Sequence, residues 1–204
     1  MMLLAAVVGC STPRPPSNPS SSSVFTVELV REGVEIGCLA TRVARTWAVT
    51  AGHCWSGPVT AMRVRCQGSG LQRTTGIVRG LAHPVYDVAL LHFPWPIPCE
   101  GTPIMVAERS TGGRDYTLLH IEANRRCTHS VQASSGSHTL TVRASGLCLA
   151  RGQSGAPLLL EVGRAEFRLA GLLIAGAPGC DGPDTFVRLD RLRPWIRDQI
   201  AHFP

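Results

Sequence analysis

Short runs of alternating apolar and polar residues dominate the chain from Val24 onward. Val24–Val30 alternates as a half-buried β-strand does, and Thr46–Ala51 is a continuous apolar, β-branched run. The other predicted strands follow at similar spacing: 34–40, 61–66, 75–81, 88–93, 116–122, 130–133, 139–144, 156–162, 166–175 and 185–189. Many short strands of this kind are typical of a sandwich or barrel. We therefore predict an all-β fold.

Two segments interrupt the strand pattern. A proline-rich connector at Pro94–Pro98 separates the first series of strands from the second, because proline is poorly tolerated inside a sheet. Near the end of the chain, apolar positions recur with helical spacing, and Pro194 stands near the start, where a helix accepts proline. The pattern predicts a C-terminal helix over about 191–203.

Composition narrows the function classes. The net charge of +6 comes entirely from arginine, since the chain has no lysine, and the arginines are scattered rather than clustered. A nucleic-acid surface would need a basic patch or stripe, so we expect no nucleic-acid partner. Eight cysteines in 204 residues indicate an oxidising compartment. With no Cys-x-x-Cys pair and no histidine pair at ligand spacing, we expect neither a metal nor another cofactor.

The N-terminal segment is not globular in character. Val7-Val8-Gly9-Cys10 ends a short apolar run and resembles a bacterial lipobox, which predicts acylation of Cys10. The alternative is a truncated ordinary signal peptide with an incidental cysteine. Residues 11–23 are a Pro/Ser-rich tether that cannot build a core. We assign residues 1–10 as signal or lipobox, 11–23 as linker and 24–204 as the globular domain.

Three local motifs carry candidate chemistry. His53 lies in Thr-Ala-Gly-His-Cys after an apolar strand, Asp87 is followed by Val-Ala-Leu-Leu, and Ser154 lies in Gly-Gln-Ser-Gly. A serine hydroxyl needs a base within hydrogen-bond reach and a third group to orient that base. His53 could take the Ser154 proton, and a buried Asp87 could hold the imidazole and stabilise its charged form.

The order of these motifs resembles that of the chymotrypsin-like serine proteases, and the resemblance covers nearly all of residues 24–204. It implies two six-stranded antiparallel barrels, about 24–107 and 108–190, followed by the C-terminal helix. It also implies a serine endopeptidase acting on proteins or peptides. The N–H groups of Gly152 and Ser154 would form the oxyanion hole. An α/β-hydrolase is excluded, because Ala156 breaks its Gly-x-Ser-x-Gly motif and no suitable acid and histidine follow the serine.

The resemblance also implies disulfide bonds. Cys38–Cys54 matches the histidine-loop bridge, and Cys148–Cys180 matches the bridge beside the specificity pocket. The segment from Cys148 to Gly152 resembles the bacterial enzymes. We expect Cys66–Cys99 within the first barrel. Acylation of Cys10 would leave one thiol free, for which Cys127 is the candidate.

Gln153 departs from the family, which mostly has aspartate before the serine. A neutral amide cannot pair with an inserted N-terminus, and no Ile-Val-Gly-Gly start is present. Both observations predict a site ordered without zymogen cleavage, with Gln153 hydrogen-bonded locally. The competing interpretation is an inactive or weak homologue that binds peptides or envelope proteins. The predicted location is the bacterial cell envelope, attached to the membrane only through Cys10, or outside the cell.

Substrate selection is assigned by the same resemblance. The residues expected to line the substrate site are Gly146, Leu147, Ile174, Ala175, Gly176 and Asp184. Gly176 would pair with the substrate main chain. Ile174 replaces a family serine that binds near the catalytic aspartate. Asp184 either selects basic side chains or is an exposed turn residue, and we expect a preference for small to medium apolar residues, with basic residues as the alternative.

Overall fold

The first half of the chain forms one antiparallel sheet. The computed structural model describes residues 23–66, 72–75, 79–110, 112–122, 125–143, 147–163 and 166–203. The strands of this sheet are β1 (Val24–Arg31), β2 (Val34–Ala44), β3 (Trp47–Thr50), β4 (Ala61–Cys66), β5 (Gln72–Thr75), β6 (Arg79–Ala82) and β7 (Ala89–His92). They lie in the order β5-β4-β1-β2-β3-β7-β6.

One predicted strand of the first half was wrong. The run 75–81 was expected to be a single strand, but its described residues, 75 and 79–81, belong to β5 and β6, which lie at opposite edges of the sheet. β5 pairs with β4, and β6 pairs with β7. Within the described residues the first unit is therefore a curled seven-stranded sheet rather than a closed six-stranded barrel.

The second half forms a closed barrel followed by a helix. Its strands are β8 (Asp115–Glu122), β9 (Arg125–Ser135), β10 (Thr139–Val142), β11 (Pro157–Gly163), β12 (Glu166–Ala175) and β13 (Asp184–Arg188). They close in the order β10-β13-β12-β11-β8-β9. The helix α1 spans Arg193–His202, with Pro194 in its first turn. The described part of the chain contains no helix long and apolar enough to cross a membrane. The predicted all-β fold, with two β units of the chymotrypsin-like kind and a terminal helix, is confirmed.

A shared apolar cluster holds the two units against each other. It joins buried Trp47 and Val49 of β3 to Leu172 of β12, Val187 of β13 and Ile196 of α1. Burial of side chains of this size contributes roughly 1.5–3 kcal/mol each. The two units are therefore in fixed contact, and the segments at their boundary, which carry the candidate site, have defined positions.

The three cysteine pairs expected from the sequence are disulfides in the structure: Cys38–Cys54, Cys66–Cys99 and Cys148–Cys180. They indicate maturation in an oxidising compartment. The expectation that Cys127 is a free thiol was wrong. Cys127 is disulfide-bonded, and its partner lies outside the described residues. The expected acylation of Cys10 also lies outside them.

Candidate active site

His53 is presented on a short 3-10 turn, Gly52–Trp55, which begins directly after β3. The next residue, Cys54, is fully buried and is linked to Cys38 of β2. This bridge fixes the turn to the first sheet. The His53 side chain keeps 44% of its surface exposed. The main chain of the turn is therefore fixed while the imidazole ring remains accessible.

Asp87 binds His53 twice. Its Oδ2 lies 2.8 Å from His53 Nδ1, and its Oδ1 accepts a hydrogen bond of 2.6 Å from the His53 main-chain N–H. The first contact directs the proton-bearing nitrogen toward Asp87 and leaves Nε2 for other partners. The second contact fixes the carboxylate relative to the main chain. His53 and Asp87 therefore form a pair in which the imidazole has a fixed orientation.

The surroundings of Asp87 keep it ionised. Burial alone would raise the pKa of Asp87, but hydrogen bonds from the side chain and main chain of His53, the charge of His53, and a hydrogen bond from the Gly52 main chain lower it, and the net pKa is below the ordinary value. The expectation that Asp87 is buried was wrong in degree, because 32% of its side chain is exposed.

Gly52 is required by this contact. A Cβ placed there would lie 2.9 Å from Asp87 Oδ1 and 2.8 Å from the Val88 nitrogen. The absence of a side chain at Gly52 therefore lets Asp87 approach the histidine turn so closely.

Ser154 lies in the turn before β11, and its main chain is attached to the first sheet. The Leu39 N–H donates to the Ser154 carbonyl at 2.7 Å. A Cβ on the next residue, Gly155, would overlap Leu39 O and lie 2.7 Å from Thr50 Oγ1. Gly155 has φ +83°, so the turn also needs glycine for its backbone conformation. Because Leu39 follows Cys38, the serine turn lies beside the strand that anchors the histidine turn.

The main-chain N–H groups of this turn differ in whether they are hydrogen-bonded. Among the described residues, the N–H groups of Gly152 and Ser154 have no hydrogen-bond partner, whereas those of Gln153 and Gly155 bind main-chain carbonyls at 3.2 and 2.8 Å. Gly152 has φ +90°, a conformation that favours glycine. Alternating free and bonded donors of this kind can bind an oxyanion.

Gln153 binds the main chain of Ile121 with both ends of its amide. Its Oε1 accepts a hydrogen bond of 3.1 Å from the Ile121 N–H, and its Nε2 donates to the Ile121 carbonyl. β8 pairs with β11 only from Tyr116 to Leu118, so the Gln153 amide occupies the edge of β8 beyond that pairing. The neutral Gln153 side chain thus connects the serine turn with β8 of the closed barrel through hydrogen bonds and without an ion pair.

The Ser154 hydroxyl makes no hydrogen bond to His53, or to any other described residue, in this arrangement. Contacts between a nucleophile and its base are often long without substrate and shorten when the reacting complex forms. The structure therefore contains an oriented histidine and aspartate, a serine turn bonded to the strand that anchors the histidine turn, and two N–H groups that have no partner among the described residues. This set can support nucleophilic acyl transfer.

The other residues expected at the substrate site have mixed placements. Ala175 and Gly176 are exposed where β12 ends, and Ile174 and Leu147 are half-buried. A Cβ at Gly176 would lie 2.5 Å from the Leu149 carbonyl, so this position also requires glycine. Gly146 lies outside the described residues.

Asp184 is buried, with only 4% of its surface exposed, and the alternative of an exposed turn residue was wrong. It begins β13, and its Oδ1 accepts a 2.9 Å hydrogen bond from the Ala177 N–H, beside Gly176. Burial raises the pKa of Asp184, and the Ala177 hydrogen bond only partly opposes this. Among the described residues Oδ2 has no hydrogen-bond partner. An incoming cation could therefore pair with this carboxylate.

One group of potential metal ligands lies at the site, but it does not suit a metal. A ring nitrogen of His53 and the sulfur atoms of Cys38 and Cys54 lie within 4.8 Å of one another. The two sulfur atoms are joined in a disulfide, so neither can supply the thiolate that a metal would bind. Two surface cavities, of about 540 and 460 Å³, flank the C-terminal helix and the connector between the units, and none of the predicted site residues line them.

Sequence reasoning missed the residues that act through their main chain. Leu39 and Ile121 hold the serine turn, yet neither has a side chain that signals this role. It also gave no role to His83, whose ring accepts hydrogen bonds from the loop that carries Asp87. The His-Pro sequence before Tyr86 is a turn signal that could have drawn attention to it.

The overall arrangement is that of known serine proteases. Similar solved structures include an inactivated protease paralogue from the scabies mite (TM-score 0.75, 13% identity, 90% of this chain and 97% of that one). HL collagenase gives a TM-score of 0.74 at 15% identity over 90% and 95% of the two chains. Kallikrein-related peptidase 10, solved with Zn²⁺, gives 0.70 at 18% identity over 92% and 99%.

At these identities the likeness establishes the chymotrypsin-like fold and no more. No protein-family model matches the sequence. No curated protein matches it either. The fold occurs in proteins named as proteases and in one named as inactivated, so activity must be argued from the residues of this chain.

Proposed function

We propose that this protein is a serine endopeptidase. The observation that carries the proposal is the double attachment of Asp87 to His53, through Nδ1 at 2.8 Å and through the main-chain N–H at 2.6 Å. A surface histidine has no need of such a fixed orientation, whereas a general base does. The free N–H groups of Gly152 and Ser154 supply the second element that acyl transfer requires.

In the proposed reaction the Ser154 hydroxyl attacks the carbonyl carbon of the scissile peptide bond. His53 Nε2 takes the hydroxyl proton, and Asp87 stabilises the resulting imidazolium. The N–H groups of Gly152 and Ser154 bind the oxyanion. His53 then gives the proton to the leaving amine, and a water molecule releases the acyl group by the same steps in reverse order.

Activation by N-terminal insertion is not part of the proposal. Gln153 is neutral, and both atoms of its amide are already bound to Ile121. The serine turn therefore has its own support before any proteolytic cleavage. We propose that control lies in location, a partner or access to the cleft rather than in a zymogen switch.

For the residue preceding the cleaved bond, the burial of Asp184 changes our preference from apolar to basic side chains. This carboxylate is largely buried, and among the described residues its one hydrogen-bond donor is the Ala177 N–H. A substrate arginine or lysine entering from the side of Gly176 would supply the missing charge. This assignment rests on the proposed protease function.

A catalytically weak homologue that binds peptides is the second candidate. The missing hydrogen bond between Ser154 and His53 favours it, and so does the similar fold of a protein named as an inactivated paralogue. In that case the cleft would hold extended peptides along Gly176 without cleaving them.

Labelling of purified protein with diisopropyl fluorophosphate separates the two candidates. We expect a stoichiometric adduct on Ser154, no adduct in Ser154→Ala, and a large loss of labelling rate in Asp87→Asn, about 10⁴-fold as in other triads of this type. Ser134→Ala, which changes an exposed serine of β9, is the matched control and should label as the wild type does. Absence of an adduct in folded wild-type protein would exclude the enzyme.

We propose that the protein acts in the cell envelope or outside the cell. The three disulfides support an oxidising compartment. A lipid anchor at Cys10 would need its sulfur for a thioether, so that sulfur could not also form a disulfide. Peptide mapping of non-reduced protein, isolated with its membranes, would find either a diacylglyceryl group on Cys10 or a disulfide there.

A further inference from the structure

We infer that His83 is a positioning residue for Asp87, and that its neutral ring holds the loop that carries the carboxylate. The inference rests on the proposed function, because it concerns how the base of that site is oriented. Its structural part can be tested without any enzymatic activity.

The His83 ring acts as a hydrogen-bond acceptor for the loop. Its Nδ1 lies 3.1 Å from the main-chain nitrogen of Val85 and 3.1 Å from that of Tyr86. Both partners are N–H donors, so Nδ1 must offer its lone pair and the ring proton must be on Nε2. One tautomer of the neutral ring therefore satisfies two donors at once.

Two main-chain hydrogen bonds fix the part of the loop that contains Asp87. The His83 N–H donates to the Val88 carbonyl at 2.8 Å, and the Val88 N–H donates to the Tyr86 carbonyl at 2.7 Å. Asp87 lies between Tyr86 and Val88, so the hydrogen bonds on both sides of it are linked to His83. Moving the main chain at Tyr86 would displace the carboxylate from His53.

The ring is held in place by two aromatic neighbours. Tyr86 packs against it at a centroid distance of 4.9 Å, and Trp195 of α1 meets it edge to face at 4.8 Å. Trp195 does not titrate. The Tyr86 phenol oxygen lies 3.4 Å from Nε2 of the exposed His138, which belongs to the closed barrel. These contacts connect the loop with the helix and with the other unit.

Few charges act on His83. Of the charged residues on the helix that carries Trp195, Arg193 pairs with Glu108, Asp198 pairs with His202, and Arg197 is exposed. Burial is the cause that lowers the pKa of His83 below its ordinary value. The ring is therefore neutral at neutral pH, and it protonates when the pH falls through that lowered pKa.

Protonation would reverse the function of Nδ1. An N–H at Nδ1 would face the two N–H groups of Val85 and Tyr86, so two hydrogen bonds would be lost and replaced by repulsion. The loop would then move and release Asp87 from its bonds to His53. Misplacement of about 1 Å near a reacting centre can lower a rate about 100-fold.

The test compares two substitutions. His83→Asn keeps an acceptor oxygen at the position of Nδ1 but does not titrate, and His83→Phe keeps the ring but has no acceptor. Rates of diisopropyl fluorophosphate labelling are measured against pH, with the exposed His202→Asn as control. We expect His83→Asn to stay within about twofold of wild type at neutral pH and His83→Phe to lose about tenfold or more.

The acidic side of the pH profile gives the sharper result. Protonation of His83 adds one proton-dependent loss of rate in wild type that His83→Asn lacks, so the slope of log rate against pH should be steeper in wild type than in His83→Asn by about one. A slope that the substitution leaves unchanged would overturn the inference. So would normal labelling of His83→Phe.

A second measurement keeps the inference separate from the proposed function. In Ser154→Ala, hydrogen-exchange protection of the Val85 and Tyr86 amides is followed by NMR together with titration of the His83 ring. We expect protection to be lost in step with ring protonation. Amides that stay protected after His83 is protonated would refute the inference, whether or not the wild type labels. Failure of the wild type to label at any pH would instead refute only the protease.

Discussion

The side-chain amide of Gln153 pairs with the main chain of Ile121 through both its oxygen and its nitrogen. The partner is a peptide group, which carries no charge and belongs to the same folded chain. Gln153, the residue before Ser154, is thereby fixed by a neutral, local interaction. An ionic partner delivered by cleavage is not required for this support.

Removing the Gln153 amide should loosen the serine turn. In Gln153→Ala the N–H and carbonyl of Ile121 lose their partner, and an unsatisfied buried group costs about 1–3 kcal/mol. We expect a lower free energy of unfolding by about that amount and a labelling rate at Ser154 reduced about 10- to 100-fold. Urea unfolding and labelling kinetics measure the two effects. The exposed Gln132→Ala is the control, and equal labelling rates in both variants would contradict the role of Gln153.

Adding a methyl group at Gly52 should separate Asp87 from His53. The new Cβ would stand 2.9 Å from Asp87 Oδ1 and 2.8 Å from the Val88 nitrogen, so the loop must move. We expect Gly52→Ala to lower the labelling rate about 10- to 100-fold. Gly33→Ala is less suitable as a control because of its positive φ, whereas Gly182→Ala has ordinary packing and should label normally. Normal labelling of Gly52→Ala would show that the contact relaxes freely.

Asp184 should determine the preference for a basic residue at the cleavage site. In Asp184→Ala we expect cleavage of peptides with arginine or lysine to fall by about 10²-fold or more relative to those with alanine or valine, because the buried carboxylate beside Gly176 is removed. Mixture-based peptide libraries measure this ratio. The exposed Asp181→Ala is the matched control. An unchanged profile in Asp184→Ala would remove Asp184 as the selecting residue.

The buried ion pair of Arg188 and Asp190 should make stability depend on pH. The two side chains meet at 3.1 and 2.7 Å and are 8% and 5% exposed. Burial opposes ionisation of Asp190, but its bonds to Arg188 and the Ser110 N–H lower its pKa below the ordinary value. A depressed aspartate pKa contributes stability above the unfolded-state pKa, and this contribution is lost as the pH falls through the lower folded-state pKa.

We therefore expect Asp190→Asn to be less stable than wild type by about 3–5 kcal/mol at neutral pH, because the Arg188 charge stays buried without its partner. The difference should shrink in acid, below the folded-state pKa of Asp190. Urea unfolding across the pH range measures it, with Asp198→Asn on the exposed helix face as control. A difference that does not change with pH would rule out the ionised pair as its cause.

The sequence by itself determined the strand pattern, the terminal helix, the histidine, aspartate and serine motifs, and three cysteine pairs that are bonded in the structure. These are local or family-like signals, because alternation, turn residues and short motifs are written in neighbouring positions. The 75–81 segment shows the limit of that information. Its two described ends belong to strands on opposite edges of the sheet, because strand pairing depends on partners far along the chain.

Only the tertiary structure decided how the site is supported. The contacts of Ser154 with Leu39, of Gln153 with Ile121 and of His83 with Tyr86 all involve main-chain groups, which every residue type possesses and no sequence pattern marks. The burial of Asp184, the closeness of Gly52 to Asp87 and the bonded state of Cys127 likewise depend on what packs nearby. The motifs around Ser154 predicted the chemistry. The fold determined which neighbours hold the serine turn in place.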